Sequence, residues 1–69
     1  MATITVQING KQENVPGGIS VKDLLESRGI NPNVVACELN LQILKRAALP
    51  TTTLNENDCL EVIQMIGGG

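Results

Sequence analysis

The chain of 69 residues ends in three glycines, and its most distinctive chemical group is the α-carboxylate of Gly69. With an ordinary pKa of about 3.5, this ionised group is a poor acyl donor until it is activated. Activation with ATP would give an acyl-adenylate that sulfur or nitrogen nucleophiles can attack. Gly67, Gly68 and Gly69 have no Cβ atoms and reach at most about 10 Å, so they could thread a narrow channel. The tail is therefore expected to be a substrate presented to partner enzymes.

The rest of the chain offers little for catalysis. It contains no histidine, no GxSxG nucleophile motif and no P-loop. Asp23 and Glu26 lie three residues apart, where an exposed helix face accounts for both. The stretch from Pro16 to Ser20 is typical of a plain turn and helix cap rather than a phosphate-binding loop. We expect no catalysis by this chain alone.

The two cysteines, Cys37 and Cys59, form no CxxC pair. Without histidine they lack the ligands of a zinc or iron–sulfur site, so no bound metal or cofactor is predicted. Free cysteine is among the most buried residue types, and both are expected in the core. A disulfide is the less favoured alternative in a reducing compartment.

Composition argues against two classes of partner. The net charge of −2 and the lack of aromatic residues disfavour nucleic-acid binding. No apolar run approaches the roughly 20 residues of a membrane span, and the N-terminus lacks a signal-peptide pattern. The cytoplasm is the expected compartment.

The first segment has the pattern of a β-hairpin. Ile4, Val6 and Ile8 alternate with polar residues, which is the period of a half-buried strand. Asn9-Gly10 favours the positive φ angles of a tight turn. The polar residues 11–15 then predict a return strand at a sheet edge.

A helix is predicted next, from Val21 to Arg28. Ser20 can cap its first turn, Leu24 and Leu25 lie on its apolar face, and Gly29 fits the left-handed position that ends it.

Three further strands complete the prediction. Residues 34–39 and 41–44 have strand composition on either side of a turn at Asn40. Asn57, in a tight turn, is a candidate for a left-handed conformation and leads into a last strand over residues 59–66.

Together these elements predict an α+β domain over residues 1–66, with one helix packed across a mixed sheet. Residues 47–53 are expected to be irregular or to form a single helical turn, and residues 67–69 are expected to form a flexible glycine tail.

The last strand should present two faces. The core face is expected to carry Leu60, Val62 and Ile66, and the opposite face Glu61, Ile63 and Met65. Ile63 and Met65 are then either scattered apolar residues on a small protein's surface or a partner-docking patch beside the tail.

In their order and spacing, these segments resemble the ThiS family of sulfur carriers, relatives of ubiquitin with the β-grasp fold. The resemblance covers essentially the whole chain. It rests on Asn9-Gly10, Ser20–Leu25, Val35–Asn40, Ile43–Arg46, Asp58–Ile63 and Gly67–Gly69. The family often has Pro where this chain has Lys45, and Gly where it has Asn57.

The resemblance implies a set of partners. A ThiF-like adenylyltransferase would activate the Gly69 carboxylate with ATP and Mg²⁺. A cysteine desulfurase would supply sulfur for a C-terminal thiocarboxylate, and thiazole synthase, ThiG, would use that sulfur to build the thiazole ring of thiamine. Gly68 and Gly69 match the family's functional end. The partner-docking candidates are Arg46, Glu61, Ile63 and Met65.

Two alternatives remain open at this point. Another thiocarboxylate carrier, such as the small subunit of molybdopterin synthase or a ubiquitin-related modifier, would share the fold and the tail. A non-catalytic β-grasp interaction module would have an inert tail and would bind its partner without Gly68 and Gly69.

Overall fold

A computed structural model describes residues 2–65, which form a five-stranded sheet and one α-helix. The strands are β1 (Thr3–Ile8), β2 (Lys11–Pro16), β3 (Val35–Leu39), β4 (Gln42–Leu44) and β5 (Cys59–Gln64), and the helix is α1 (Val21–Ser27). The strand order is β2-β1-β5-β3-β4, with β1 and β5 parallel and the other neighbours antiparallel. This architecture confirms the predicted α+β class and places β2 at a sheet edge, as expected. None of the helices in residues 2–65 is long and apolar enough to cross a membrane.

The β1–β2 hairpin closes through the predicted two-residue turn. Asn9 and Gly10 have φ angles of 52° and 79°, and Ile8 pairs with Lys11 on either side of them. Positive φ at both turn positions matches the right-handed twist of the two strands, which fixes their register.

The helix is held at both ends by local hydrogen bonds. The Asp23 N–H donates to Ser20 Oγ at 3.0 Å, which confirms the predicted cap. At the other end Gly29 has a φ of 71°, and the Ile30 N–H donates to the Leu25 carbonyl at 2.9 Å. This pairing returns the chain toward the helix, so the helix ends cleanly at Ser27.

The core lies between the helix and one face of the sheet. Its buried residues come from every strand except β4, from the helix and from the connections: Val6, Ile8, Val15, Val21, Leu24, Leu25, Val35, Cys37, Leu49, Leu54 and Leu60. Burial of Cys37 is as predicted, and it raises the pKa of that thiol by desolvation.

The prediction that Cys59 is buried is wrong. Cys59 is exposed on the outer face of the sheet, opposite Gln7 of β1, and its Sγ lies 3.6 Å from Gln7 Oε1. Side chains alternate along a strand, so a core position for Leu60 requires its neighbour to face outward. The strand alternation therefore outweighs the general preference of cysteine for the interior.

Two of the predicted strands begin later than expected. Val34 ends a 3₁₀ turn over Pro32–Val34, which Asn31 caps by accepting the Asn33 N–H at 2.9 Å. Leu41 belongs to the β3–β4 turn rather than to β4.

The helical turn predicted within residues 47–53 is a 3₁₀ turn over Arg46–Ala48.

The β3–β4 turn places a bulky residue in a strained conformation. Asn40 and Leu41 have φ angles of 51° and 69°, and the Leu41 side chain is 90% exposed. A left-handed conformation costs a residue with a Cβ atom roughly 1–2 kcal/mol, and no burial of Leu41 offsets this cost.

Leu41→Gly is accordingly expected to stabilise the domain. The relief of strain exceeds the extra backbone entropy of glycine, so the free energy of unfolding should rise by about 0.5–1 kcal/mol. For a domain of this size that corresponds to a melting temperature about 2–8 °C higher. Leu41→Ala, which keeps the Cβ atom, is the matched control and should give no such gain. A lower melting temperature for Leu41→Gly would contradict the role assigned to this turn.

Candidate functional site

The predicted activation site, Gly69, follows the central strand in the sequence. Gly67, Gly68 and Gly69 lie outside the described residues, as does Ile66, which was predicted to face the core. The described chain ends at Met65, whose N–H donates to the Val34 carbonyl at 2.9 Å. Because β5 lies between β1 and β3, the tail continues from the middle of the sheet rather than from an edge.

The outer face of β5 carries the predicted docking residues. Leu60 is fully buried, whereas Ile63 and Met65 are 55% and 49% exposed and Glu61 is exposed beside them. These exposures fit the predicted division of the strand into two faces. Neighbouring strands determine whether the exposed residues form a continuous surface.

Strand pairing assembles these residues into a patch with neighbours from β3 and β4. Ile63 pairs with Ala36, and Glu61 pairs with Glu38, which in turn pairs with Ile43. Ile43 is 77% exposed. We call these five residues the outer patch: two carboxylates in the middle, with apolar side chains beside them.

Sequence reasoning missed Glu38 and Ile43 as members of this surface. The signal was available in the turn: a two-residue loop at Asn40 and Leu41 fixes the β3–β4 register and sets Ile43 opposite Glu38. Treating Leu41 as a strand residue concealed that register.

The other half of the outer face is polar. On β1 and β2 the Thr5 hydroxyl donates to Asn14 Oδ1 at 3.0 Å, and Gln7 pairs with Gln12. The apolar character is thus confined to the β5–β3–β4 half of the sheet, which adjoins the start of the tail. This asymmetry favours a defined docking surface over scattered apolar residues.

Arg46 lies near the C-terminal end of β5. Its Nη2 donates to the Asn33 carbonyl at 3.1 Å, and the next carbonyl along the chain, that of Val34, accepts the Met65 N–H. A guanidinium group is therefore held near the strand from which the tail continues. Within residues 2–65, no group of three or more His, Cys, Asp or Glu side chains could hold a metal ion.

Comparison with known families matches residues 6–69 to the ThiS family. In a crystal structure, the thiamine biosynthesis protein (ThiS) from Geobacter metallireducens has the same fold, with a TM-score of 0.82 and 32% identity. The match covers 96% of this chain and 100% of that one. The ubiquitin-like β-grasp fold implied by the resemblance is thereby confirmed.

Two sequence relatives differ in length. The uncharacterized protein ycf40 of Pyropia yezoensis is 41% identical over 68 residues, covering 99% of this chain and 96% of the relative. A thiazole synthase of Paramagnetospirillum magneticum is 36% identical over 62 residues, covering 90% of this chain but only 19% of the relative. The chain thus spans about a fifth of that thiazole synthase.

Glu38 and Glu61 place like charges directly across a strand pair, and neither takes part in the ion pairs of residues 2–65. Such a pair is destabilising, so Glu61→Gln should raise the free energy of unfolding by about 0.2–1 kcal/mol at low salt. Chemical denaturation measures this gain.

A double-mutant cycle provides the control for the Glu61→Gln experiment. Glu38→Gln should give a similar gain, and the double variant should give little more than either single variant, because one substitution already removes the repulsion. Loss of stability in either single variant, or full additivity in the double variant, would contradict a repulsive pair.

Proposed function

The chain belongs to the ThiS family, and on this premise we propose that it is a sulfur carrier protein for thiamine thiazole synthesis. In this role Gly69 holds sulfur as a thiocarboxylate, and the chain is a co-substrate of its partner enzymes. The observation that carries the proposal is the family match over residues 6–69, which includes the terminal glycines as well as the folded domain.

The proposed chemistry takes place at the carboxylate of Gly69. A ThiF-like adenylyltransferase binds ATP and Mg²⁺, and a carboxylate oxygen attacks the α-phosphorus, so that pyrophosphate leaves. A desulfurase transfers sulfur from cysteine as a protein persulfide, whose terminal sulfur attacks the acyl carbon to give an acyl disulfide. The C–S bond forms as the C–O bond to AMP breaks. A thiol then reduces this acyl disulfide by two electrons, which releases the thiocarboxylate and leaves a disulfide. The chain contributes the acyl group and the surface that its partners recognise.

A thiazole synthase of the ThiG type is the proposed recipient of the sulfur. The thiazole synthase of Paramagnetospirillum magneticum includes, within one polypeptide, a segment similar to 90% of this chain. A protein in which both parts are joined supports a partnership between the separate proteins. The thiamine biosynthesis protein of Geobacter metallireducens supports the same pathway through its fold and identity.

The outer patch, together with Met65 and Arg46, is the proposed docking surface for these partners. Ile63 and Ile43 offer apolar area, and the adjacent carboxylates of Glu38 and Glu61 would be relieved by a basic group on a partner. The patch adjoins the start of the tail, so docking there would direct the tail toward a partner's active site.

Adding one alanine after Gly69 tests the proposed chemistry. The extra residue displaces the carboxylate by about 3.8 Å and introduces a Cβ atom into the channel, so ATP–pyrophosphate exchange should fall to background. The melting temperature should not change. A chain with one alanine added before Met1 is the control and should keep full activity. Undiminished exchange by the C-terminally extended chain would overturn the proposed role of Gly69.

Ile63→Asp tests the docking surface. Ile63 is 55% exposed, so the melting temperature should fall by only a few degrees. The KM for the carrier in the adenylation reaction should rise about tenfold or more, because burial of an aliphatic side chain contributes roughly 1.5–3 kcal/mol. Gln12→Asp introduces the same charge on the polar half of the face and should leave KM unchanged. Equal KM values for both variants would exclude Ile63 from docking.

A further inference from the structure

Strand β5 extends beyond its partner β1. The parallel pairing of the two strands ends at Ile8 and Leu60, after which β1 turns away into the hairpin. The backbone groups of β5 alternate between its two neighbours. The Leu60 carbonyl accepts the Asn9 N–H on the β1 side at 2.9 Å, whereas the Met65 N–H donates to the Val34 carbonyl on the β3 side. Even-numbered residues of β5 therefore present their backbone groups toward β1.

Asn9 occupies the first position that β1 vacates. Its Oδ1 accepts the Val62 N–H at 2.7 Å, which replaces the carbonyl that a longer β1 would supply. The next groups on this side are the Val62 carbonyl and the N–H and carbonyl of Gln64. Within residues 2–65, no strand pairs with β5 at these positions. We call this side of residues 62–64 the free edge of β5.

A groove lies beside the free edge on the helix side of the sheet. It has a volume of about 420 Å³, and Asn9 and Gly29, which lies just beyond the end of the helix, form part of its wall. Its other lining residues are mostly apolar: Ile8, Ile30, Asn31, Val34, Val35, Val62 and Gln64. A strand added along the free edge would direct every second side chain toward this groove.

We propose that the free edge and the groove form a strand-addition site for an extended, apolar segment of the adenylyltransferase that receives the tail. This inference rests on the proposed function. In the proposed function the reacting carboxylate is that of Gly69, four residues beyond Met65, and four extended residues reach at most about 14 Å. An enzyme that encloses the terminal carboxylate must therefore lie against this end of β5. In strand addition, backbone hydrogen bonds supply affinity and pockets for alternate side chains supply specificity.

The two outer strands of the sheet are less suited to this role. The edge strand β2 carries charged residues at Lys11 and Glu13, which discourage pairing with another chain. The edge strand β4 has only three residues. Among the strands of residues 2–65, the free edge of β5 is the one that combines unpaired backbone groups with an adjoining groove and with proximity to the last described residue, Met65.

Amide hydrogen exchange tests the proposal directly. In the free chain, the Gln64 N–H should exchange rapidly, whereas the Ile63 N–H, which faces β3, should exchange slowly. In the complex of the full chain with the adenylyltransferase, exchange at Gln64 should slow at least tenfold, as expected for a gained hydrogen bond. Rapid exchange at Gln64 in a formed complex, or protection already present in the free chain, would overturn strand addition.

Gln64→Pro and Gln64→Ala provide matched variants. Proline removes the N–H at this position, whereas alanine keeps it and removes only the side chain. The KM of Gln64→Pro for adenylation should exceed that of Gln64→Ala about tenfold, with similar melting temperatures, because this N–H has no partner in the β3 ladder. Equal KM values would overturn the proposal. If Gln64→Pro lowers the melting temperature, amide hydrogen exchange at Gln64 in the unmodified chain is the measurement that decides whether the strand-addition site exists.

The two proposals fail in different ways. An unmodified chain that the adenylyltransferase does not adenylate overturns the proposed function, and the strand-addition site with it. An unmodified chain that is adenylated while its Gln64 N–H stays unprotected overturns the strand-addition site alone.

Discussion

The alternation of side chains along β5 is the constraint on which the rest of the molecule depends. Leu60 and Val62 face the helix and help to close the core, while Glu61 and Ile63 face outward in register with β3. A single strand thus stabilises the domain on one face and presents the outer patch on the other. The three glycines follow the same strand in the sequence, so the proposed docking surface lies close to the last described residues before them. A shift of β5 by one residue in register would bury the Glu61 carboxylate and expose the core residue Leu60.

The hydrogen bond from the Val62 N–H to Asn9 Oδ1 links the first hairpin to this strand. The turn conformation of Asn9 ends β1, and its side chain satisfies the last β5 group that β1 would have paired. Beyond that point β5 depends on β3 alone, which leaves its other side available near the tail. The turn conformation of Asn9 therefore limits the β1–β5 pairing and creates the free edge, which lies beside the groove.

Features with a local cause could be predicted from the sequence: the cap at Ser20, the helix end at Gly29 and the left-handed Asn57, whose φ is 69°. Features that depend on pairing between segments could not. The apolar composition of residues 41–44 favours a strand that begins at Leu41, whereas the turn in fact includes both Asn40 and Leu41. A strand that begins at Leu41 conceals the register that sets Ile43 opposite Glu38. The exposure of Cys59 follows from the buried position of Leu60, because the alternation along β5 outweighs the general preference of cysteine for the interior. The candidate surface was therefore predicted along β5 and missed across the sheet.

The most direct test of the sulfur-carrier role is high-resolution mass spectrometry of the chain after incubation with a ThiF-like adenylyltransferase, Mg²⁺, ATP, cysteine, a desulfurase and a thiol reductant. Fragmentation must locate the change, because exchanging oxygen for sulfur adds nearly the same nominal mass as oxidation of Met65 or Cys59. The sulfur-carrier role predicts sulfur on Gly69, formed only when ATP is present. An unmodified Gly69 under conditions in which the same enzymes modify an established ThiS protein would contradict it.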